Sequence, residues 1–464
     1  MTQHSSPLDT VLSALSPLFG DRLSTEQAIR DQHTAVESWL PPAAPDAVVM
    51  AHSTEEVAEV LKLCHAHGVP VVPFGAGSSI EGQVNAPHGG ISLDLSSMDR
   101  VLAVHADDMD CTVQCGVIRQ RLNEDLRASG LFFPVDLGAH ATLGGMAATR
   151  ASGTNAVRYG TMATNVLALK AVLPSGEIVK TAARARKTSA GYDLTRLLIG
   201  SEGTLGLITE LTLKLYGIPE AISAATCSFP TVEAACNAVI MTIQMGIPVA
   251  RIELLDALSV KGVNAYSRLD LPETPLLLLE FHGSQASVKE QAESFGEIAE
   301  DHGSLAFTFT TKPEERTKLW AARHDAYWAS LALRKGAKGI STDCCVPVSR
   351  LAECVTRAQE KAGALGLIAP VVGHVGDGNF HTLPLIMMDD PDEVARAQEF
   401  VSWLNDLAIS MGGTCTGEHG IGQGKARYLL PELGEGAVSM MVAVKHGVDP
   451  LNLFNPGKIL VSDV

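Results

Sequence analysis

The stretch Gly373-His374-Val375-Gly376-Asp377-Gly378-Asn379-Phe380-His381 constrains the chain more than any other. Asp-Gly favours a tight hairpin turn, because both residues tolerate the positive φ that such turns need. A hairpin symmetric about Asp377-Gly378 makes His374 and His381 a directly opposed cross-strand pair, with Cβ atoms about 5 Å apart on one face of the ribbon. Two such imidazoles, joined by a carboxylate, form a two-His-one-carboxylate set with room for a further ligand. Gly417-Glu418-His419-Gly420 follows later in the chain. A single histidine in either position is more often a core or turn residue; the opposed pair together with the Glu-His dipeptide predicts a metal site at a catalytic centre.

A chain of 464 residues has room for two or three domains, each with its own core. Its 46% hydrophobic residues, 42 Gly and 23 Pro fit a globular protein built from helices, strands and many turns. The net charge of −17 argues against nucleic acid and against an anionic membrane surface as partners. It leaves a small anionic substrate open, since local cations decide that. Nine cysteines without a C-x-x-C pair suit a reducing compartment. Cys111 and Cys115, on the strand-like run Asp110 to Gly116, read as buried thiols. There is no apolar run of about 18 residues. The N-terminus, Met1 to Pro7, has neither a signal-peptide core nor an Arg-rich transit segment. The expected setting is cytoplasmic, at most peripheral at the inner membrane.

Helix-like spacing of Leu8, Val11, Leu12 and Leu15 is interrupted at Pro17. Val48-Val49-Met50 reads as a strand, and Ser53-Thr54-Glu55-Glu56 opens a helix that Gly68 ends. Val69 to Phe74 is a short buried strand leading into Gly75-Ala76-Gly77-Ser78-Ser79. Beyond Pro219 strand-like runs (276–281 and 306–311) alternate with helical ones (287–301, 313–333 and 391–411), an α+β pattern with helices over one face of an antiparallel sheet. The predicted division is 1–218, 219–411, and a returning segment 412–464.

The loop Gly75 to Ser79 offers successive backbone N–H groups and two hydroxyls, a nest suited to pyrophosphate. It is not a dinucleotide fingerprint of the G-x-G-x-x-G kind, because Gly82 is at the wrong spacing and no helix follows. Alone it would equally be a surface turn. Two further polar glycine-rich stretches accompany it: Thr142-Leu-Gly-Gly-Met-Ala-Ala-Thr149 with Ser152-Gly-Thr-Asn155, and Gly200-Ser-Glu-Gly-Thr-Leu-Gly-Leu-Ile-Thr209. Three such loops suit a large dinucleotide gripped along its length.

Together these residues resemble the vanillyl-alcohol oxidase family of flavoproteins, and within it the FAD-linked 2-hydroxy-acid dehydrogenases of the D-lactate type. The resemblance runs from about Val48 to Leu460. It rests on the glycine loops, on the 373–381 run, on Gly413-Thr-Cys-Thr-Gly-Glu-His-Gly-Ile-Gly422 and on Asn455-Pro-Gly-Lys458. It implies an α+β fold: a two-subdomain FAD-binding domain, completed by the C-terminal tail, with an antiparallel-sheet cap domain for the substrate. Pro73, Gly75, Ala76, Gly77, Ser78 and Ser79 are implied to hold the FAD pyrophosphate, with Thr142, Gly145, Ser152 and Ile208 along the flavin and adenosine path and Asn455 near the isoalloxazine. Several relatives of this kind attach the flavin through a histidine in the first loop; this loop has none, so the FAD is expected to be non-covalent. Arg150, inside the second loop, is open between a phosphate contact and solvent.

The resemblance further implies that His374, His381 and Glu418 bind a divalent metal, zinc or manganese with iron also compatible, while His419 accepts the hydroxyl proton. Arg323, in Leu-Trp-Ala-Ala-Arg-His-Asp325, is the candidate for the substrate carboxylate, because a planar guanidinium suits bidentate binding; the alternative is an ion pair within the fold. The implied activity is oxidation of D-lactate or a related D-2-hydroxy acid to the 2-oxo acid, with hydride passing to FAD N5. Electrons then go to a cytochrome, quinone or flavoprotein acceptor, and a homodimer is compatible. A glycolate dehydrogenase catalytic subunit and a D-2-hydroxyglutarate dehydrogenase are the alternatives of the same chemistry; a flavin-free metal-binding or partner module is the alternative of another class.

Overall fold

Ser53 and Gly68 bracket a helix for the reasons their types suggest. In the computed structural model, which describes residues 6–460, Ser53 Oγ accepts the Glu56 N–H at 3.2 Å and opens the helix Thr54–His67. Gly68, at φ 68°, closes it in the left-handed conformation that L side chains avoid. Residues Met1 to Ser5, on which part of the N-terminal reading falls, lie outside the described residues.

Two compact units emerge. The first comprises the chain up to Ala151, Thr161–Gly217, and Glu418 onward. It has a four-stranded sheet in the order Leu23–Ser24, Ala47–Met50, Ile91–Asp94, Val71–Phe74, parallel except for the first pair. Its second sheet is antiparallel and five-stranded: Val101–His105, Asp110–Gln114, Leu207–Lys214, Val166–Val172, Ile178–Lys180. Val49, Ile91 and Leu61 share one apolar core with Val113, Leu169 and Leu211. Cys111 and Cys115 are buried in it, and desolvation pushes both thiols up to about 12.

The second unit comprises Ser152–Gly160 and Ile218–Gly417. Its antiparallel sheet runs Ala306–Thr310, Ala221–Ser228, Leu276–Gly283, Val249–Leu255, Val371–Gly373, Asn379–Thr382, Cys344–Cys345. Helices over one face were expected; they cover both. Phe281 packs on Phe295 of the helix Gln285–Asp301, with ring centroids 6.4 Å apart. Leu276 and Leu278, of opposite parity to Phe281, pack on Val260, Ala326 and Ala329. A strand buried on both faces reads as an unbroken apolar run, which is how Leu276 to Leu279 appears.

Several elements depart from expectation. Pro17 lies inside the helix Pro7–Phe19, which ends only at Gly20. The helical pattern 313–333 is two helices, Pro313–His324 and Ala326–Ala332, parted at Asp325. The helix Leu429–Val448 was not foreseen, because Pro431, Gly434 and Gly436 break its pattern; at Gly434, φ 81°, it is kinked. Among the described residues no helix is long and apolar enough to cross a membrane.

Candidate active site

In the second unit the Asp-Gly turn is present, but not with the expected symmetry. Val372, not His374, pairs with His381, and Val371 pairs with Thr382. Residues Val375–Asp377 form a 3-10 turn closed by Gly378 at φ 80°. The two-residue turn is thus replaced by a longer one that takes His374 out of the ladder. The two rings still meet, with centroids 5.5 Å apart and planes at 85°.

What surrounds the two rings fixes their orientation. His374 Nδ1 lies 2.8 and 2.9 Å from the two carboxylate oxygens of Glu253. His381 Nδ1 lies 2.9 Å from the Thr342 carbonyl. Both partners only accept, so each Nδ1 carries a proton; in a neutral ring the lone pair is then on Nε2. This is the tautomer a metal-bound imidazole needs, held by the kind of outer partner such ligands have.

Glu253 is itself wholly buried in the strand Val249–Leu255. Its Oε2 also accepts from Arg323, at 2.9 Å from Nε and 2.6 Å from Nη2. Arg323 is 8% exposed, with two of its three nitrogens engaged in this ion pair. Asp343, also fully buried, accepts from Asn379 Nδ2 at 3.0 Å and from Thr416 Oγ1 at 2.7 Å. Asp343 and His381 hold potential ligand atoms within 4.8 Å of each other. Sequence reading missed both acids. A carboxylate within Val-Ala-Arg-Ile-Glu-Leu-Leu was a usable signal, since an apolar strand buries an acid only when it is paired. Asp343 has no comparable mark.

The Gly417 N–H donates to the Asp343 carbonyl at 2.8 Å. Glu418 and His419 are the next two residues and open the returning segment of the first unit. They too hold potential ligand atoms within 4.8 Å of each other. Gln83 Nε2 donates to the His419 carbonyl at 2.8 Å.

The first unit brings the glycine loops together. A Cβ on Gly75 would stand 2.5 Å from Thr142 Oγ1, and one on Gly203 would stand 2.3 Å from Pro73. Thr142 Oγ1 accepts the Gly145 N–H at 3.2 Å and caps the helix Leu143–Ala148. Asn455 adopts φ 42° and donates through Nδ2 to the carbonyls of Glu202 (2.7 Å) and Gln83 (3.0 Å). Ile208 lies buried on the strand Leu207–Lys214, at a register shift. Ala76 is exposed, while Gly77 and Ser78 are half-buried. Ser152 begins the short segment counted with the second unit.

Two features fit a large polar ligand at these loops. Ser79 Oγ and Ser201 Oγ are buried with no hydrogen-bond partner among the described residues. A buried hydroxyl left so costs about 1–3 kcal/mol, which a ligand oxygen would recover. The glycines, in turn, allow backbone approach where side chains would clash. Arg150, at φ 57°, directs Nε and Nη2 to the Ile199 carbonyl at 3.4 and 3.1 Å.

Comparison with known proteins bears on the family and the fold. Residues 45–182 match the FAD binding domain, and residues 218–459 match the C-terminal domain of FAD linked oxidases. The chain is 47% identical to "Probable D-lactate dehydrogenase, mitochondrial" of Danio rerio, over 98% of this chain and 93% of that protein. It is 46% identical to "D-lactate dehydrogenase [cytochrome], mitochondrial" of Arabidopsis thaliana, over 97% of this chain and 80% of that protein. A solved structure of p-cresol methylhydroxylase with substrate bound superposes with a TM-score of 0.81, covering 99% of this chain and 98% of that one. At 17% identity it speaks for the fold alone, which is that of the vanillyl-alcohol oxidase type. By the extent of the domain matches and the identity to its relatives, the chain belongs to the FAD-linked oxidases, as an FAD-dependent oxidoreductase related to the D-lactate dehydrogenases.

Proposed function

We propose that the chain oxidises D-lactate, or a closely related D-2-hydroxy acid, to the 2-oxo acid with the help of a divalent metal. The observation that carries the metal is the pair of imidazoles, His374 and His381, each with Nδ1 tied to an acceptor and their ring centroids 5.5 Å apart. Glu418 would complete the set, with zinc, manganese or iron matching imidazole and carboxylate donors. The ion would supply a Lewis acid for the α-hydroxyl and carboxylate oxygens. Bound FAD would supply the acceptor for the hydride that leaves Cα.

The residues of the chain do the rest. Pro73 and the loop Gly75 to Ser79 cradle the pyrophosphate through backbone N–H groups, and no residue of that loop offers a covalent link. Thr142, Gly145, Ser152 and Ile208 line the cofactor path, and Asn455 stands at its reactive end. His419 takes the hydroxyl proton as hydride departs, so that this proton and the hydride, which carries both electrons, leave the substrate by separate routes. Arg323 either turns its remaining nitrogen to the substrate carboxylate or acts through Glu253 alone. The names of the two relatives place them in mitochondria and, for one, name a cytochrome. They lend the cytoplasmic expectation no support, and a cytochrome is accordingly the acceptor we propose.

Anaerobic bleaching of the flavin by D-lactate, L-lactate, glycolate and D-2-hydroxyglutarate in turn tests the reading. Rapid bleaching by D-lactate alone is expected. A preference for glycolate or for the dicarboxylic acid would reassign the substrate, and no bleaching by any acid, with FAD and metal bound, would end the proposal.

A further inference from the structure

Glu202 is a buried carboxylate to which nothing above assigns a role, and its surroundings in the first unit are specific. Its side chain accepts the N–H of Ile421 at 2.6 Å through one oxygen and the N–H of Gly422 at 2.8 Å through the other. A Cβ on Gly420 would stand 2.4 Å from that carboxylate, so the turn after His419 fits closely against it. Its backbone is held as firmly: φ is 50°, the N–H donates to the Ala148 carbonyl at 2.9 Å, and the carbonyl accepts from Asn455 Nδ2. Glu202 is 4% exposed, with Glu81, Lys425 and Lys458 also buried nearby in the chain's own network of loops.

One residue of the third glycine loop thus grips, by its side chain, the turn carrying His419 and, by its backbone, the asparagine at the end of the cofactor path. We propose that Glu202 is a positioning residue that sets the place of His419 relative to the cofactor loops. A non-glycine residue at positive φ is strained, and the strain is sustained where the surroundings require one direction of the side chain. Above about pH 7, where Glu202 is ionised, both its oxygens accept charge-assisted bonds from adjacent amides; a glutamine has only one acceptor oxygen, and presents an N–H₂ to the other amide.

The inference rests on the proposed role of His419, and its test separates the two. In the FAD-loaded Glu202→Gln variant, amide exchange at Ile421 and Gly422 should rise at least tenfold, a readout taken without substrate. The rate of anaerobic flavin reduction by D-lactate should fall about 100-fold, the loss that a misplacement of about 1 Å brings. KM and the FAD dissociation constant should stay within threefold. Glu202→Asp, which keeps both oxygens, should recover at least part of the rate, and it serves as the test should the glutamine variant not fold. Unchanged exchange at the two amides, or a rate within threefold of the parent in FAD-saturated protein, would overturn the inference. So would loss of rate in strict proportion to loss of FAD, which is what a merely structural residue gives. Failure of the parent protein to bleach would refute the reaction and leave the exchange result standing.

Discussion

Replacing Glu253 by Gln should both destabilise the second unit and weaken the proposed metal site. Glu253 has no solvent exposure and neutralises Arg323 through contacts of 2.9 and 2.6 Å while orienting His374 through contacts of 2.8 and 2.9 Å. Glutamine preserves the shape but accepts through one oxygen, so the guanidinium is left buried without its counter-charge. Breaking a buried pair in this way costs about 3–5 kcal/mol. For a unit of roughly 200 residues, about 4 kcal/mol lowers its melting temperature by about 8–16 °C. The second effect is on zinc affinity, expected to fall by about 10–100-fold, because His374 and Arg323 must then compete for one acceptor oxygen and the hold on the His374 tautomer weakens. Differential scanning calorimetry and competition with a zinc indicator measure the two. The double variant Glu253→Leu with Arg323→Met removes both charges and should recover at least half of the lost stability, while zinc affinity stays low. A melting shift under about 2 °C with unchanged zinc affinity would refute both the ion-pair argument and the orienting role.

Removal of metal by a chelator should abolish turnover and leave the flavin absorption spectrum in place; full activity in metal-free protein would count against the site. Asn455→Ala loses two bonds to backbone carbonyls and puts at φ 42° a residue that tolerates the left-handed region less well than asparagine, so flavin fluorescence should show FAD bound at least tenfold more weakly. Burial, reinforced by Glu81 and opposed by two N–H bonds and Lys458, raises the Glu202 carboxyl from 4.5 to about 7. The folded chain therefore holds a proton that the unfolded chain has lost between those pH values. This contribution to stability is complete below pH 4.5 and falls by about 3 kcal/mol as pH rises through 7, so the stability difference between parent and Glu202→Gln should slope across that window. Eight of the nine cysteines are buried and Cys345 is half-buried, so a thiol reagent should modify the native protein at Cys345 well before the others, all of which react on unfolding.

The sequence revealed the fold where local chemistry and burial agree. Ser53 and Gly68 bound their helix as expected, and Asp110–Gln114 is a strand with Cys111 buried on it and Cys115 buried just past its end. It was misleading where a tertiary contact overrides the local signal. The Asp377-Gly378 dipeptide indicates a symmetric hairpin, yet the Val371–Gly373 strand pairs with both Val249–Leu255 and Asn379–Thr382, and the register that satisfies the whole sheet sets Val372 against His381. At the candidate site, the histidines and the glycine loops stand out because their spacing is rare. Glu253, Asp343 and Glu202 do not, because their roles come from partners 121, 36 and 219 residues away.

The cofactor unit is interrupted in the chain, and this dictates the order of its assembly. Val71 donates to the Leu453 carbonyl at 2.8 Å, and Asn455 donates back to the Val71 carbonyl at 2.8 Å, so the edge of the parallel sheet is sealed by residues synthesised some 380 positions later. During synthesis the second unit has all its strands before that seal exists, and the nascent first unit must wait with an open sheet edge, a state prone to association with other chains. Closing so long a loop is entropically mild once the intervening unit has folded and shortened the gap. Residues 453–455 thus act as a latch on a sheet whose first long strand begins at residue 47, and that sheet edge closes only after they have been made.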